Sequence, residues 1–172
     1  MTRLRRPTRE RSSGKDVRVL GVDVGRVITG EDPVSGASLL TSGWQRTPVI
    51  SGALSHLSLL NSPARFDGRV YLISKAGPKV QERTRDWLVL VNFHNTTDIQ
   101  PEKVYFVRER AEKAAVCRRL GVTDFIDDRV SVLQTLDSVD TRFLFSPDDV
   151  RQLPPGIVHV RSWAELGAYL RP

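Results

Sequence analysis

Six short runs rich in branched and aromatic residues punctuate this chain: VRVLGVD ending at Asp23, RVYLIS ending at Ser74, KVYFV, VTDFI leading into Asp127 and Asp128, RFLF, and IVHV. Runs this apolar, without strict alternation, fit strands whose two faces are both covered. Amphipathic segments lie between most of them, as they do when helices return the chain across a parallel sheet. The pattern predicts α/β architecture with a mostly parallel sheet and helices on both faces. A length of 172 residues suits one such core and is short for two ordinary domains.

The connecting segments carry their own signals. KAGPKV follows the second run, and Pro78 suits the first turn of a helix. That helix is predicted to continue through QERTRDWLVLVNF with Val80, Trp87 and Val91 on one face. RERAEKAAVCRRL reads as a helix stopped by Gly121, and RVSVLQTL as a short one. In the closing SWAELGAYL, Ser162 and Glu165 have capping-box spacing. Residues 29 to 69 are the irregular part: TGEDPVSGASLL predicts a hairpin flap, and PVISGALSHLSLL predicts one helix.

In an open parallel sheet the C-terminal strand ends converge on one edge, where ligands bind. Asp23, Ser74 and the pair Asp127/Asp128 each stand at such an end, and Lys113 lies in the helical segment before that pair. Each residue has a bland reading when taken alone. A strand-end aspartate commonly caps the next helix, Ser74 can serve its own turn, and Lys113 can pair with Glu109, four residues earlier on a solvated helical face. The coincidence of three segments at one edge points to a site.

In this order and in these strand contexts, the motifs resemble those of the haloacid dehalogenase-like hydrolase superfamily. They are a nucleophilic aspartate in GVDVGRVI, a serine in VYLISKAG, a lysine in ERAEKAAVCRRLGV and an acidic pair in DFIDDR, spread over about residues 17 to 170. The FIDDR ending is similar to that of nucleotidase-like members. The resemblance implies a Rossmann-like three-layer α/β/α sandwich over residues 17 to 172, with a minimal cap or flap at about 29 to 69. It also implies a magnesium-dependent phosphatase that works through a phosphoaspartate on Asp23, with a phosphomonoester, such as a nucleotide, as its small-molecule substrate.

In that scheme Asp23 would attack phosphorus. Mg²⁺ would be held by Asp23, the carbonyl of Gly25 and one or both of Asp127 and Asp128. Ser74 and Lys113 would bind the phosphoryl oxygens, and Lys75 a second anionic group. The sequence departs from the phosphatase pattern at Gly25, where the family usually carries an acid/base aspartate. Losing a general acid costs about two to four powers of ten in rate, least for aryl phosphates, acyl phosphates and phosphoanhydrides. His56 or a metal-bound water are the substitute donors. The alternative is a member that binds a phosphorylated ligand or a protein partner without turnover.

Composition bounds the remaining classes. The net charge of +6 is concentrated at the start, where residues 1 to 18 hold seven basic against two acidic residues. Residues 1 to 16 are read as a basic, disordered, solvated tail, and only a nucleic-acid end-processing enzyme would need it for substrate. No internal basic patch marks a nucleic-acid reader. No long apolar run marks a membrane span or a leader, so the cytoplasm is the expected compartment. The single cysteine, Cys117, excludes an internal disulfide and reads as a buried structural thiol. Trp44, Arg46 and His56 in the insert are either substrate contacts or a packed cluster.

Overall fold

Every neighbouring strand pair in the sheet is parallel. The computed structural model describes residues 17 to 150 and 152 to 170; the basic segment 1 to 16 lies outside them. The strands are Leu20–Val22 (β1), Val70–Lys75 (β2), Val104–Val107 (β3), Asp124–Asp127 (β4), Thr141–Phe145 (β5) and Ile157–Val160 (β6). Their order across the sheet is β3-β2-β1-β4-β5-β6. The chain therefore grows from β1 toward one edge and then returns to β1's other flank with β4. This reversal creates a crevice beyond the carboxyl ends of β1 and β4, the usual ligand position in such a sheet.

Period-two alternation divides the apolar side chains between two cores. Leu20, Val22, Val70, Leu72, Ile126, Phe143, Phe145 and Val160 face one side. Val19, Ile73, Phe125, Leu144 and Ile157 face the other. The first side is covered by the helices Ala53–Asn61 (α1), Pro78–Leu90 (α2), Phe93–Thr97 (α3) and Trp163–Tyr169 (α6), through Leu57, Trp87, Phe93 and Trp163. The second is covered by Glu112–Leu120 (α4) and Val130–Leu133 (α5), through Ala114, Cys117 and Leu133. The result is the expected three-layer sandwich. Burial pushes the Cys117 thiol up to about 12, as suits an inert packing residue.

Several element boundaries differ from the sequence expectation. Pro78 does open α2, but that helix ends at Leu90 rather than running to Phe93. Asn92 takes a left-handed φ of 54°, which turns the chain so that Phe93 is fully buried at the head of α3. RVSVLQTL is helical only over Val130–Leu133. Gly121, with φ 66°, stops α4 as expected. At α6 the Ser162 hydroxyl accepts from the Glu165 N–H at 3.2 Å, and the Glu165 carboxylate accepts from the Arg161 N–H rather than from that of Ser162.

The insert is corrected more deeply. Residues 29 to 40 form no hairpin ladder. The Asp32 carboxylate instead gathers the Val34 and Ser35 N–H groups and the Ser35 hydroxyl, folding the segment into a tight turn. The predicted helix over residues 48 to 60 starts only at Ala53, because Gly52 adopts a left-handed φ of 82°, while Val49 bridges to Thr29 as extended chain. Two buried indoles fix this irregular chain to the sandwich. Trp87 Nε1 donates to the Thr47 carbonyl at 2.9 Å, and Trp163 Nε1 donates to the Val27 carbonyl at 2.8 Å. No helix among the described residues is long and apolar enough to cross a membrane.

Gly21 on β1 shows how tightly the central strands meet. A methyl group on its Cα would run into the Phe125 ring from β4 and lie 3.2 Å from Val122 Cγ1. Gly21→Ala is expected to lower the stability of the fold by about 1–3 kcal/mol through overpacking. Chemical denaturation checks this, and an unchanged midpoint would mean that Phe125 has room to move.

Candidate active site

The site begins with parity. Asp23 follows β1 directly and Asp127 ends β4, and the Asp23 N–H donates to the Ile126 carbonyl at 2.9 Å, so the two aspartates lie side by side on adjacent strands. Each stands two residues beyond a position that faces the second core, Gly21, where a Cβ would meet Phe125 and Val122, and Phe125 itself, so both carboxylates leave the sheet on the face that α4 covers. α4 turns Lys113, Ala114 and Cys117 inward. Lys113 is 2% exposed, and its Nζ donates to Asp23 Oδ1 at 2.7 Å and to Asp127 Oδ2 at 2.8 Å.

The geometry removes the bland reading of this lysine. Glu109 lies before the first turn of α4, so no helical pair with Lys113 forms; Glu112 instead accepts from the Arg108 and Glu109 N–H groups and closes the turn before the helix. The ammonium also lies 5.5 Å from the centre of the Phe125 ring.

Asp128 completes the acidic set. One oxygen from each of Asp23, Asp127 and Asp128 can be chosen so that all lie within 4.8 Å of one another. Asp127 Oδ1 accepts from the Arg129 N–H at 2.9 Å, while Asp128 faces Arg26 and Arg129 at 3.8 Å each, beyond hydrogen-bond length. Three carboxylates thus cluster beside one buried ammonium, which of the three only Asp23 and Asp127 hold. Burial raises the pKa of all three, with Lys113 opposing the shift at Asp23 and Asp127, and the charge of Asp23 adding to it at Asp128. For Lys113 burial disfavours the charge, but the two carboxylates outweigh it and hold the ammonium above its ordinary value. An all-oxygen donor set with surplus negative charge fits a hard divalent cation such as Mg²⁺.

A cleft of about 330 Å³ opens over these groups and gathers the catalytic, phosphate-binding and metal candidates read from the motifs: Asp23, Gly25, Ser74, Lys75, Lys113, Asp127 and Asp128. It leaves out Trp44, Arg46 and His56. Trp44 packs against the core, Arg46 is exposed, and His56 Nδ1 is bonded to the Gly52 carbonyl at 2.8 Å with its ring beside Trp163. The insert contributes Glu31, Ser38, Leu39 and Leu40 to the cleft instead.

Sequence reasoning also passed over three arginines on the cleft wall, Arg26, Arg110 and Arg129. Each lies within three residues of a motif position, and that proximity was the available signal. Gly25 is free of structural constraint: its φ is not left-handed, and an added Cβ would meet only Asp23 Oδ2, at 3.9 Å.

Compared by sequence, the chain matches no family model and no curated protein. Compared by structure, it is similar to a haloacid dehalogenase-like family hydrolase from Xanthomonas campestris, with a TM-score of 0.64 and 14% identity over 92% of this chain and 96% of that one. It is also similar to a haloacid dehalogenase-like hydrolase from Burkholderia xenovorans LB400, with a TM-score of 0.52 and 16% identity over 76% of this chain and 61% of that one. At such identities the likeness concerns the fold, and the fold of this chain is the haloacid dehalogenase-like one.

Because the carboxylates are raised in the folded chain, the native state holds their protons more tightly than the unfolded state does. Their contribution to stability therefore falls as pH rises through that elevated range, and Lys113 limits the fall. Lys113→Met is expected to cost about 3–5 kcal/mol near neutral pH, where it leaves Asp23 and Asp127 charged and unpaired. The loss should shrink as pH falls and the carboxylates take up protons. Denaturation of both proteins across pH checks this; a loss independent of pH would contradict it.

Proposed function

We propose that this protein, built on the haloacid dehalogenase-like fold, is a magnesium-dependent phosphatase of small phosphorylated molecules, nucleotides included, that uses Asp23 as its phosphoryl acceptor. The observation that carries the reading is the buried Asp23–Lys113–Asp127 bridge at the point where the strand order reverses, opening into a cleft that also holds Ser74 and Asp128.

In this reading Lys113 fixes one oxygen of Asp23 and neutralises charge that gathers on the phosphoryl group during attack. Ser74, buried at the end of β2, offers its hydroxyl to a phosphoryl oxygen. Asp127 holds Lys113 and the Arg129 N–H, so its part is to orient the lysine as well as to supply an oxygen. Asp23, the Gly25 carbonyl, Asp127 and Asp128 would hold Mg²⁺, which supplies charge neutralisation for the clustered carboxylates and the incoming anion. Attack by Asp23 splits the displacement into transfer to the carboxylate and hydrolysis of the resulting acyl phosphate.

Gly25 supports a second reading, in which the cleft binds a phosphorylated ligand without turnover. The two readings differ in one assay. With Mg²⁺ and an aryl phosphate, the wild-type chain is expected to release phosphate, and Asp23→Asn to lower that rate at least about 10³-fold, as for loss of a nucleophile. A folded wild-type chain that binds Mg²⁺ yet leaves the aryl phosphate intact would favour binding alone.

The room around Gly25 generates a further expectation. Gly25→Asp meets no steric bar, and with Mg²⁺ bound to offset the added charge it should raise turnover of a simple alkyl phosphate by about 10²-fold or more by restoring a proton donor. Steady-state kinetics of that variant decide the point, and an alkyl phosphate rate left unchanged would mean that proton donation does not limit this site.

A further inference from the structure

Two features of the cleft are independent of each other and agree. It is poor in transferable protons, and it is rich in fixed positive charge. We infer that the group lost from the transferred phosphoryl is itself a phosphate, so that the substrate is a phosphoanhydride; the inference rests on Asp23 as phosphoryl acceptor.

Among the side chains the shortage of protons follows from the residues, because Asp23 is the acceptor and Asp127 and Asp128 are reserved for the cation. Gly25 has no side chain to give one, and the Lys113 ammonium is already held by Asp23 and Asp127. Glu31 is the one carboxylate on the cleft wall outside the acidic trio, and its Oε1 is turned toward Gly36, 3.9 Å from where a Cβ there would stand. Arginine keeps its proton under all ordinary conditions. A simple alkoxide, a far stronger base than a phosphate, would leave such a site with difficulty. A phosphate monoester, with a second pKa near about 6, leaves as a stable anion with no proton supplied.

The positive charge is placed to receive that anion. Arg26, Lys75, Arg110 and Arg129 stand on the wall of the cleft that Asp23 opens into. Among the described residues, neither Lys75 nor Arg110 pairs with a carboxylate within 4 Å, and Arg26 and Arg129 reach Asp128 only at 3.8 Å. The Arg26 side chain is 74% exposed and that of Arg129 46%, so both can turn to a ligand. Guanidinium groups suit the paired oxygens of a phosphate. Four cations exceed what one transferred phosphoryl group needs, since Lys113 and Ser74 already serve it.

The step balances without another reactant than water. An Asp23 carboxylate oxygen forms a bond to the terminal phosphorus, and the bond from that phosphorus to the bridging oxygen breaks. The electron pair departs on the second phosphate. Water then cleaves the aspartyl phosphate, which frees inorganic phosphate, restores the carboxylate and releases one proton to solvent.

The test uses the full chain with Mg²⁺ and measures phosphate release from a nucleoside diphosphate, inorganic pyrophosphate, acetyl phosphate, glycerol 3-phosphate and an aryl phosphate. At least one diphosphate is expected to exceed glycerol 3-phosphate at least 100-fold in kcat/KM, and the comparison of the two diphosphates identifies whether an organic group is needed. The double variant Arg26→Gln/Arg110→Gln is expected to lower kcat/KM for that diphosphate at least tenfold more than for the aryl phosphate. Three results would each overturn the inference: glycerol 3-phosphate matching the diphosphates, with loss in Glu31→Gln marking Glu31 as the proton donor; acetyl phosphate preferred over both; or equal losses on all substrates in the double variant. Aryl phosphate hydrolysis that depends on Asp23 separates the two levels. Its absence removes the phosphatase reading and the inference together, whereas its presence without a preference for diphosphates removes the inference alone.

Discussion

A single buried ammonium organises the carboxyl edge of this sheet. Lys113 bridges Asp23 and Asp127 across the junction of β1 and β4, and both strands would otherwise end in adjacent carboxylates of like charge, pushed out of water by the packing beneath them. Such an arrangement is costly to bury and strongly penalised when one partner is removed. It persists because three separate elements, two strands and the inner face of α4, are fixed independently by apolar packing on Phe125, Ala114 and Cys117. The ion bridge depends on the sandwich, and the position of the Asp23 carboxylate depends on the bridge.

Asp128 stands outside this bridge and gives the cleft its remaining character. Its charge is only loosely met by Arg26 and Arg129, so the trio carries a surplus that suits a divalent cation, while the arginines stay available at the mouth. Gly25 then marks what the site does not do. Neither backbone conformation nor space demands glycine there, so the fold does not account for it. Strong electrostatic stabilisation beside weak proton donation is a coherent design for a leaving group that is already a good anion.

Much of this was legible in the sequence, for identifiable reasons. The six strands showed themselves because burial on both faces requires unbroken apolar runs, and strand-end polarity then marked Asp23, Ser74 and Asp127. Lys113 was ambiguous, since the Glu109 spacing imitates a surface ion pair; only the start of α4 at Glu112 decides the matter. The insert was legible least. Its order comes from long-range bonds, Trp87 to Thr47 and Trp163 to Val27, which leave no periodic trace, and local turn residues suggested a hairpin where Asp32 closes a single turn. Arg26, Arg110 and Arg129 were hidden for a different reason, because exposed arginines beside a motif look like any solvated surface until the cleft is seen.

The central claim is that Asp23 carries the phosphoryl group during turnover. The most direct measurement is to mix the full chain with an aryl phosphate and Mg²⁺, quench in acid during turnover, reduce with borohydride and locate the modified residue by mass spectrometry. A phosphoaspartate at Asp23 would appear after reduction as homoserine at that position, which is the result expected here. Steady turnover with Asp23 unmodified, or modification at Asp127 or Asp128 instead, would contradict the account.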